Sequence, residues 1–287
     1  MTQVLVTGAR GVVGKFLVPR LDGAGFRVHA LSRRTADANA AVWHRGDLTE
    51  PGWSRSLPQV EVVFHLAPLW LLPPVLRDLE QLGVRRIVAF GSTSRHTKAA
   101  SDSPLERSVA EKLALAEDLL QDSADFADWT VLRPTLIYGG GHDRNISDIA
   151  RFILRFGFFP LAVGASGLRQ PVHADDLAVA CISLMNAAGA SARVLDVGGG
   201  EKLSYREMVR RIFHAMGRPA RILPMPKRLL RTMVVAASRT GRFRHVDPAM
   251  IDRMSKDMVA DNGSAAALFG YDPRPFHPVP EDFGLRS

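Results

Sequence analysis

Apolar residues in this chain come in short runs, and the runs alternate between two spacings. Residues 3–7 (QVLVT) form an apolar stretch, as expected of a strand buried on both faces. Val12, Val13, Phe16, Leu17 and Leu21 then recur every three or four positions, which predicts a helix, ended by Gly23 and Gly25. Pro19 lies inside that helix and predicts a bend or a missing hydrogen bond. The alternation continues with strands at 26–31, 42–44, 60–66, 86–90 and 129–132, and helices over 72–83 and 105–120. After Pro134 the rhythm loosens into helices at 146–156, 175–185 and 205–216 and a strand at 194–197. A basic, apolar segment runs from Lys227 to Arg244, and a stretch rich in proline and aromatics, 270–283, is expected to wrap the surface.

Strands alternating with helices argue for a parallel sheet covered on both faces, a Rossmann-type, doubly wound α/β fold. The looser remainder predicts a smaller, discontinuous α/β substrate lobe. The expected division is 1–134 plus 171–198 for a dinucleotide-binding domain, and 135–170 plus 199–287 for the second lobe. In such a sheet ligands bind beyond the C-terminal strand ends.

Composition narrows the classes. Hydrophobic content of 46% and charged content of 23% over 287 residues describe a globular chain. Net charge is +8, but the arginines are dispersed and no zinc-finger or RNP-like run appears, so nucleic-acid binding is not expected. Only six of the 37 basic residues are lysine. The single cysteine, Cys181, excludes an intrachain disulfide, reads as a packing residue and fits a cytoplasmic, reducing location. The strand at residue 3 leaves no room ahead of it for a signal peptide, and no apolar run is long enough to span a membrane. The Lys227–Arg244 segment has the composition of a helix that can lie on anionic lipid, a peripheral contact that ranks below packing against the second lobe. Oligomeric state stays open.

The chemistry-bearing motif is Thr7-Gly8-Ala9-Arg10-Gly11-Val12-Val13-Gly14, between a strand and a helix. Gly8 permits a sharp turn, Gly11 lets the backbone approach a diphosphate, and Gly14 lets helix and strand pack closely. The helix start, including Val12 and Val13, offers unpaired N–H groups to phosphate. Its spacing is GxxGxxG rather than GxGxxG. The second strand ends in Ser32, Arg33 and Arg34 instead of an acidic residue. With Arg10, these arginines favour a 2′-phosphate, hence NADP over NAD. No metal site is expected: His173, Asp175 and Asp176 lack further ligands, and one of the two aspartates is expected to cap a helix.

Taken together these motifs resemble the extended short-chain dehydrogenase/reductase superfamily, within it the NAD-dependent epimerase/dehydratase-like proteins. TGARGVVG resembles the family's cofactor turn, Asp47-Leu48 its adenine-side pair, and His65-Leu66-Ala67 its cofactor-side strand end. Arg133-Pro134, Ile137-Tyr138-Gly139 and Val172-His173-Ala174-Asp175-Asp176 are similar to segments leading into its second lobe. The resemblance implies Ser or Thr, Tyr and Lys as the catalytic set, with Tyr moving the proton and Lys holding the ribose. Ser94 and Thr93 compete for the hydroxyl role. Lys112, followed by Ala116-Glu117, aligns with the family lysine, which places Ser108 where the tyrosine belongs. A serine hydroxyl has neither the reach nor the acidity of a phenol. Tyr138 is then the first choice of proton source, with His96 behind it. His65 reads as a structural hydrogen-bonding residue.

Two functions follow. One is an NAD(P)-binding oxidoreductase or nucleotide-sugar epimerase-like enzyme with an atypical active site and a small-molecule substrate. The alternative is a non-catalytic dinucleotide-binding protein, structural or redox-sensing, similar to an accessory subunit of respiratory complex I. The apolar segments Pro68–Pro74 and Phe156–Pro160 suit a lipid-like, quinone-like or aromatic group if they line the pocket, whereas the family resemblance implies nucleotide-linked sugars, and the substrate class stays open.

Overall fold

A computed structural model of the chain describes residues 1–34, 40–141, 143, 145–185, 187, 189–239 and 248–285. Seven parallel strands form the main sheet: β1 (Gln3–Thr7), β2 (Arg27–Ser32), β3 (Val42–Arg45), β4 (Val62–His65), β5 (Arg86–Phe90), β6 (Asp128–Pro134) and β11 (Arg193–Val197). Across the sheet they run β11-β6-β5-β4-β1-β2-β3. The chain leaves β1 toward β2 on one side and returns to β4 on the other, and this reversal opens a crevice at the C-terminal ends of β1, β2 and β4.

One face is covered by α1 (Gly14–Gly23) and α6 (Ala174–Met185), the other by α2 (Leu76–Gln81) and α4 (Pro104–Ser123), with the short α3 (Ser94–Thr97) before α4. Val4, Val6, Leu17, Leu21, Phe64, Leu177 and Cys181 are buried on the first face. Leu5, Val63, Leu79, Ile87, Leu113 and Trp129 are buried on the second. Neighbouring residues of β1 thus point into different cores, the period-two consequence of a strand buried twice. Burial pushes the Cys181 thiol pKa up, as expected of a packing residue. Pro19 is accommodated inside α1 because it faces solvent, so the carbonyl that it deprives of a partner is turned outward. The helix expected from residue 72 begins only at Leu76, since Pro73 and Pro74 hold the preceding turn in a 3-10 conformation.

The smaller lobe is discontinuous and built of short pieces. β7 (Ile137–Tyr138) pairs with β10 (Val172–His173), β9 (Leu168–Arg169) with β12 (Leu203–Ser204), and β8 (Phe159–Ala162) with β13 (Ile222–Met225). Its core joins α5 (Ile146–Phe156), α7 (Tyr205–Ala215), Leu230 of α8 (Lys227–Arg239) and Ile251 of α9 (Ala249–Arg253). The stretch 270–283 does more than wrap the surface. Phe276 and Phe283 enter this core, and the Tyr271 hydroxyl donates to the Gly198 carbonyl at 2.9 Å, behind α10 (Gly263–Phe269). Among the described residues no helix is long and apolar enough to cross a membrane. Residues 240–244 of the basic segment lie outside the described residues.

An ionic hub joins α3, α4 and β6. The Glu117 side chain is 3% exposed, takes Arg133 through both carboxylate oxygens and also pairs with Arg95. Arg133 reaches further, to Asp196 and to Nε2 of His96 at 3.1 Å. His96 is therefore an acceptor at Nε2, not a free proton donor there. Removing a buried carboxylate strands two guanidinium groups, so Glu117→Ala is expected to cost about 3–5 kcal/mol. Urea unfolding checks this, and a loss below about 1 kcal/mol would show that the hub is dispensable.

Candidate functional site

The glycine turn lies at the crevice, and its shape depends on three missing side chains. Gly8 has φ +67°, and a Cβ there would sit 2.6 Å from the Ala67 nitrogen. A Cβ on Gly14 would overlap the carbonyl of Ala9, and one on Gly11 would press on the Gly8 carbonyl at 3.1 Å. The turn is closed by the Gly11 N–H donating to that same carbonyl at 2.8 Å. Among the described residues the N–H groups of Val12 and Val13 have no acceptor, and they open α1. This is a cradle for an anion, with backbone donors and the positive end of a helix dipole.

The floor is set by His65 at the end of β4, opposite Thr7 in register. Nε2 of His65 faces the Pro68 carbonyl at 3.3 Å, so that nitrogen carries the hydrogen and Nδ1 accepts from the Thr7 hydroxyl at 2.9 Å. Burial lowers its pKa to about 4. His65 is thus a neutral strut that fixes Leu66, Ala67 and Pro68 beside Gly8. Just past β3, Asp47 takes both the N–H and the hydroxyl of Thr49, at 3.0 and 2.8 Å. These bonds, with Arg33's charge behind them, hold its carboxyl below the ordinary aspartate range. Leu48 packs against the second-face core. Ser32 accepts from the Arg34 N–H at 3.4 Å, while Arg10, Arg33 and Arg34 are exposed.

The residues expected to carry catalysis stand in different surroundings. On α4 the sheet-facing side carries Glu106, Ala110, Leu113, Ala116, Glu117 and Leu120, with Val109 beside them. Ser108 and Lys112 lie round the helix with the outward Leu105, Leu115 and Leu119, which are 70%, 60% and 41% exposed. Lys112 is exposed, and its ammonium sits 5.9 Å from the centre of the Trp70 ring. Ser108 is half-buried one turn earlier, and Trp70 belongs to the segment that follows β4 at the crevice. The Thr93 hydroxyl is buried and donates to the Pro134 carbonyl at 3.2 Å, so it is committed to the fold. Ser94 is half-buried at the start of α3, and its hydroxyl has no protein partner among the described residues. Tyr138 is corrected as proton source. It is 1% exposed, packs edge-on against His173 and Phe276 at 5.0 and 4.9 Å, and burial pushes its hydroxyl pKa up.

His173 and the two aspartates are architectural. His173 bonds to Asp282 at 3.0 Å, while Asp175 and Asp176 lie in the first turn of α6 and take Arg20 and Arg274 in ion pairs. Among the described residues no cluster of metal-ligating side chains occurs. The sequence reading missed Glu106. Its carboxylate is buried, accepts from the Ser101 hydroxyl at 2.7 Å, and pairs with Arg253 of α9, joining α4 to the smaller lobe. No local pattern marks a partner 147 residues away.

With this geometry in place, comparison with known proteins is specific. Residues 4–70 match the NAD dependent epimerase/dehydratase family. The structure aligns with MoeE5 in complex with UDP-glucose and NAD at TM-score 0.72 and 23% identity, covering 98% of this chain and 96% of that one. It aligns with UDP-glucuronic acid 4-epimerase from Bacillus cereus in complex with NAD at TM-score 0.73 and 16% identity, over 95% and 94%. By sequence, the NAD(P)H azoreductase of Xenophilus azovorans is 27% identical over 76% of each chain. The chain has the fold of NAD(P)-binding oxidoreductases and epimerases, and its first 70 residues carry the match to the NAD dependent epimerase/dehydratase family. The expected preference for NADP is overturned, since these solved neighbours hold NAD. Arg10, Arg33 and Arg34 stand exposed in solvent, and an exposed arginine is not by itself a phosphate site.

Two expectations follow. Gly14→Ala should lose about 3 kcal/mol of stability, because backbone must move to admit the methyl group. Gly23→Ala, where nothing lies within 4 Å, should be neutral or slightly stabilising; equal losses at both positions in chemical denaturation would contradict the packing argument. Between pH 6.5 and about 4, His65 binds a proton in the unfolded chain but not in the folded one. Stability should therefore be full above pH 6.5 and fall as pH drops toward 4, by at most about 3 kcal/mol from this residue. His29, also lowered to about 4 by burial, adds in the same direction. Urea midpoints measured across this range should show His65→Gln with a slope flatter by about one proton; an unchanged slope would mean that His65 titrates normally.

Proposed function

We propose that this protein binds NAD along the crevice and lacks the tyrosine-dependent proton transfer used by its superfamily. The diphosphate rests on Gly8, Gly11 and Gly14 with the N–H groups of Val12 and Val13, the adenosine lies toward Ser32, Asp47 and Leu48, and the nicotinamide lies toward Leu66, Ala67 and Ser94. In this reading 1–134 plus 171–198 form the cofactor domain, and 135–170 plus 199–287 form the lobe above it. The missing Cβ atoms support the fit, since a side chain at Gly8 or Gly14 would strike the backbone of Ala67 or Ala9 and displace the turn. When bound, NAD supplies a hydride acceptor, or a donor in its reduced form.

The observation that carries the negative half is on α4: Ser108 stands one turn before Lys112, where the superfamily's tyrosine and its acidic hydroxyl would be. Tyr138 does not replace them, and the Glu106–Arg253 pair spans from α4 to the second lobe. The dinucleotide is then a bound structural or redox-sensing element. A second reading, reduction of an aromatic acceptor that takes its proton from water, is favoured by the half-buried Trp70 beside Pro68 and by the likeness to an azoreductase. Calorimetric titration with NAD is expected to show binding. Prolonged incubation of that complex with UDP-glucose or dTDP-glucose is expected to yield neither reduced nicotinamide nor an altered sugar. Sugar turnover would overturn the proposal, and oxidation of NADH by a quinone or azo dye would select the second reading.

A further inference from the structure

Lys15 is the second residue of α1, one step beyond the last glycine of the turn. Side chains on a helix lean toward its N-terminus, the end of α1 at which the anion cradle lies. The lysine lies against a loop of the smaller lobe whose conformation is unusual. Gly139, Gly140 and Gly141 have successive φ values of +99°, +87° and +80°, a run available in practice only to glycine. A Cβ at Gly139 would strike Nε2 of His173 at 2.6 Å, and one at Gly141 would enter the backbone of Gly284, so the loop is pressed in from both sides. Its middle residue faces Lys15: a Cβ on Gly140 would lie 3.3 Å from the lysine Cδ and 3.6 Å from Nζ. Among the described residues no carboxylate or carbonyl takes that ammonium.

From these contacts we infer that Lys15 is a diphosphate-neutralising residue, held over the glycine cradle by the Gly139–Gly141 loop. The inference rests on the proposed binding of NAD. It adds a cation to a cradle otherwise made of backbone donors, and it makes one loop of the smaller lobe part of the cofactor site. A dinucleotide diphosphate brings two negative charges next to the helix start, where a flexible ammonium can meet either oxygen set. Arg10, on the turn itself, is exposed with no second lobe to hold its side chain in place.

The test is calorimetric titration of the full chain with NAD at several salt concentrations, for the native protein, Lys15→Met and Lys15→Arg. Lys15→Met should bind about tenfold more weakly, the loss expected for one charge-assisted contact at a partly exposed site. Its affinity should also fall less steeply with salt, because one fewer ion pair is screened. Lys15→Arg should stay within about threefold of the native protein. Unfolding curves without NAD should coincide for all three, which separates a binding role from a packing role. Equal affinity and equal salt dependence in Lys15→Met would overturn the assignment while leaving NAD binding intact. Absence of NAD binding in the native protein would instead refute the proposed function on which it rests.

Discussion

Everything at the crevice depends on one close approach of backbone to backbone. β1 ends against the segment after β4, with Gly8 and Ala67 so near that no side chain fits between them. Helix α1 then starts against the carbonyl of Ala9, again with nothing but hydrogen on the intervening α-carbon. Close-packed interiors leave no slack at such contacts. The direction of α1 is therefore fixed by its first residue, and the N–H groups at its start are aimed as a consequence. Thr7 and His65 complete the junction by tying the ends of the two central strands through a single hydrogen bond.

Around this junction the two halves of the molecule rest on different physics. The sheet is held by continuous apolar cores on both faces, with few ionised groups inside. The joints between elements at its edges, and between sheet and smaller lobe, are ionic: Glu117 with two arginines and Glu106 with Arg253, both around buried carboxylates, and Asp175 and Asp176 with the more exposed Arg20 and Arg274. Pairs of this kind contribute little relative to a good apolar contact, but they penalise any arrangement that leaves one member alone. They specify how the lobes meet more than they strengthen the meeting. Arg169 extends this logic, since its buried guanidinium takes the carbonyls of Leu168, Arg253 and Lys256 and stacks on Tyr205.

Much of this was legible in the sequence. Apolar runs of strand length and an early glycine turn locate the sheet and the cradle, because both signals are local and set by backbone sterics. The apolar pattern also placed α5 with its ends at residues 146 and 156. Catalytic residues were less legible. Ser108 and Lys112 have the right spacing on a helix, but a shift of one residue turns a side chain by about 100°, and only packing reveals which face meets the sheet. Tyr138 is near the strand ends in sequence, yet its neighbours His173 and Phe276 come from distant segments. The arginines after β2 suggested a phosphate partner, whereas the solved neighbours hold NAD.

The segment around residues 271–284 has a consequence for the order in which the molecule can be made. Asp282 holds His173 from 109 positions away, the Tyr271 hydroxyl holds Gly198 from 73, and Gly141 rests on Gly284. These contacts close the hinge where the chain re-enters the first lobe. During synthesis on the ribosome, the glycine cradle and its first strands emerge early and can pair at once, but the His173 corner stays without its carboxylate until more than a hundred further residues have appeared. Contacts of such separation are the slow ones in folding. A nascent chain of this protein therefore passes through a stage in which the nucleotide cradle exists and the seam between the lobes does not, and that seam is the surface a chaperone would meet.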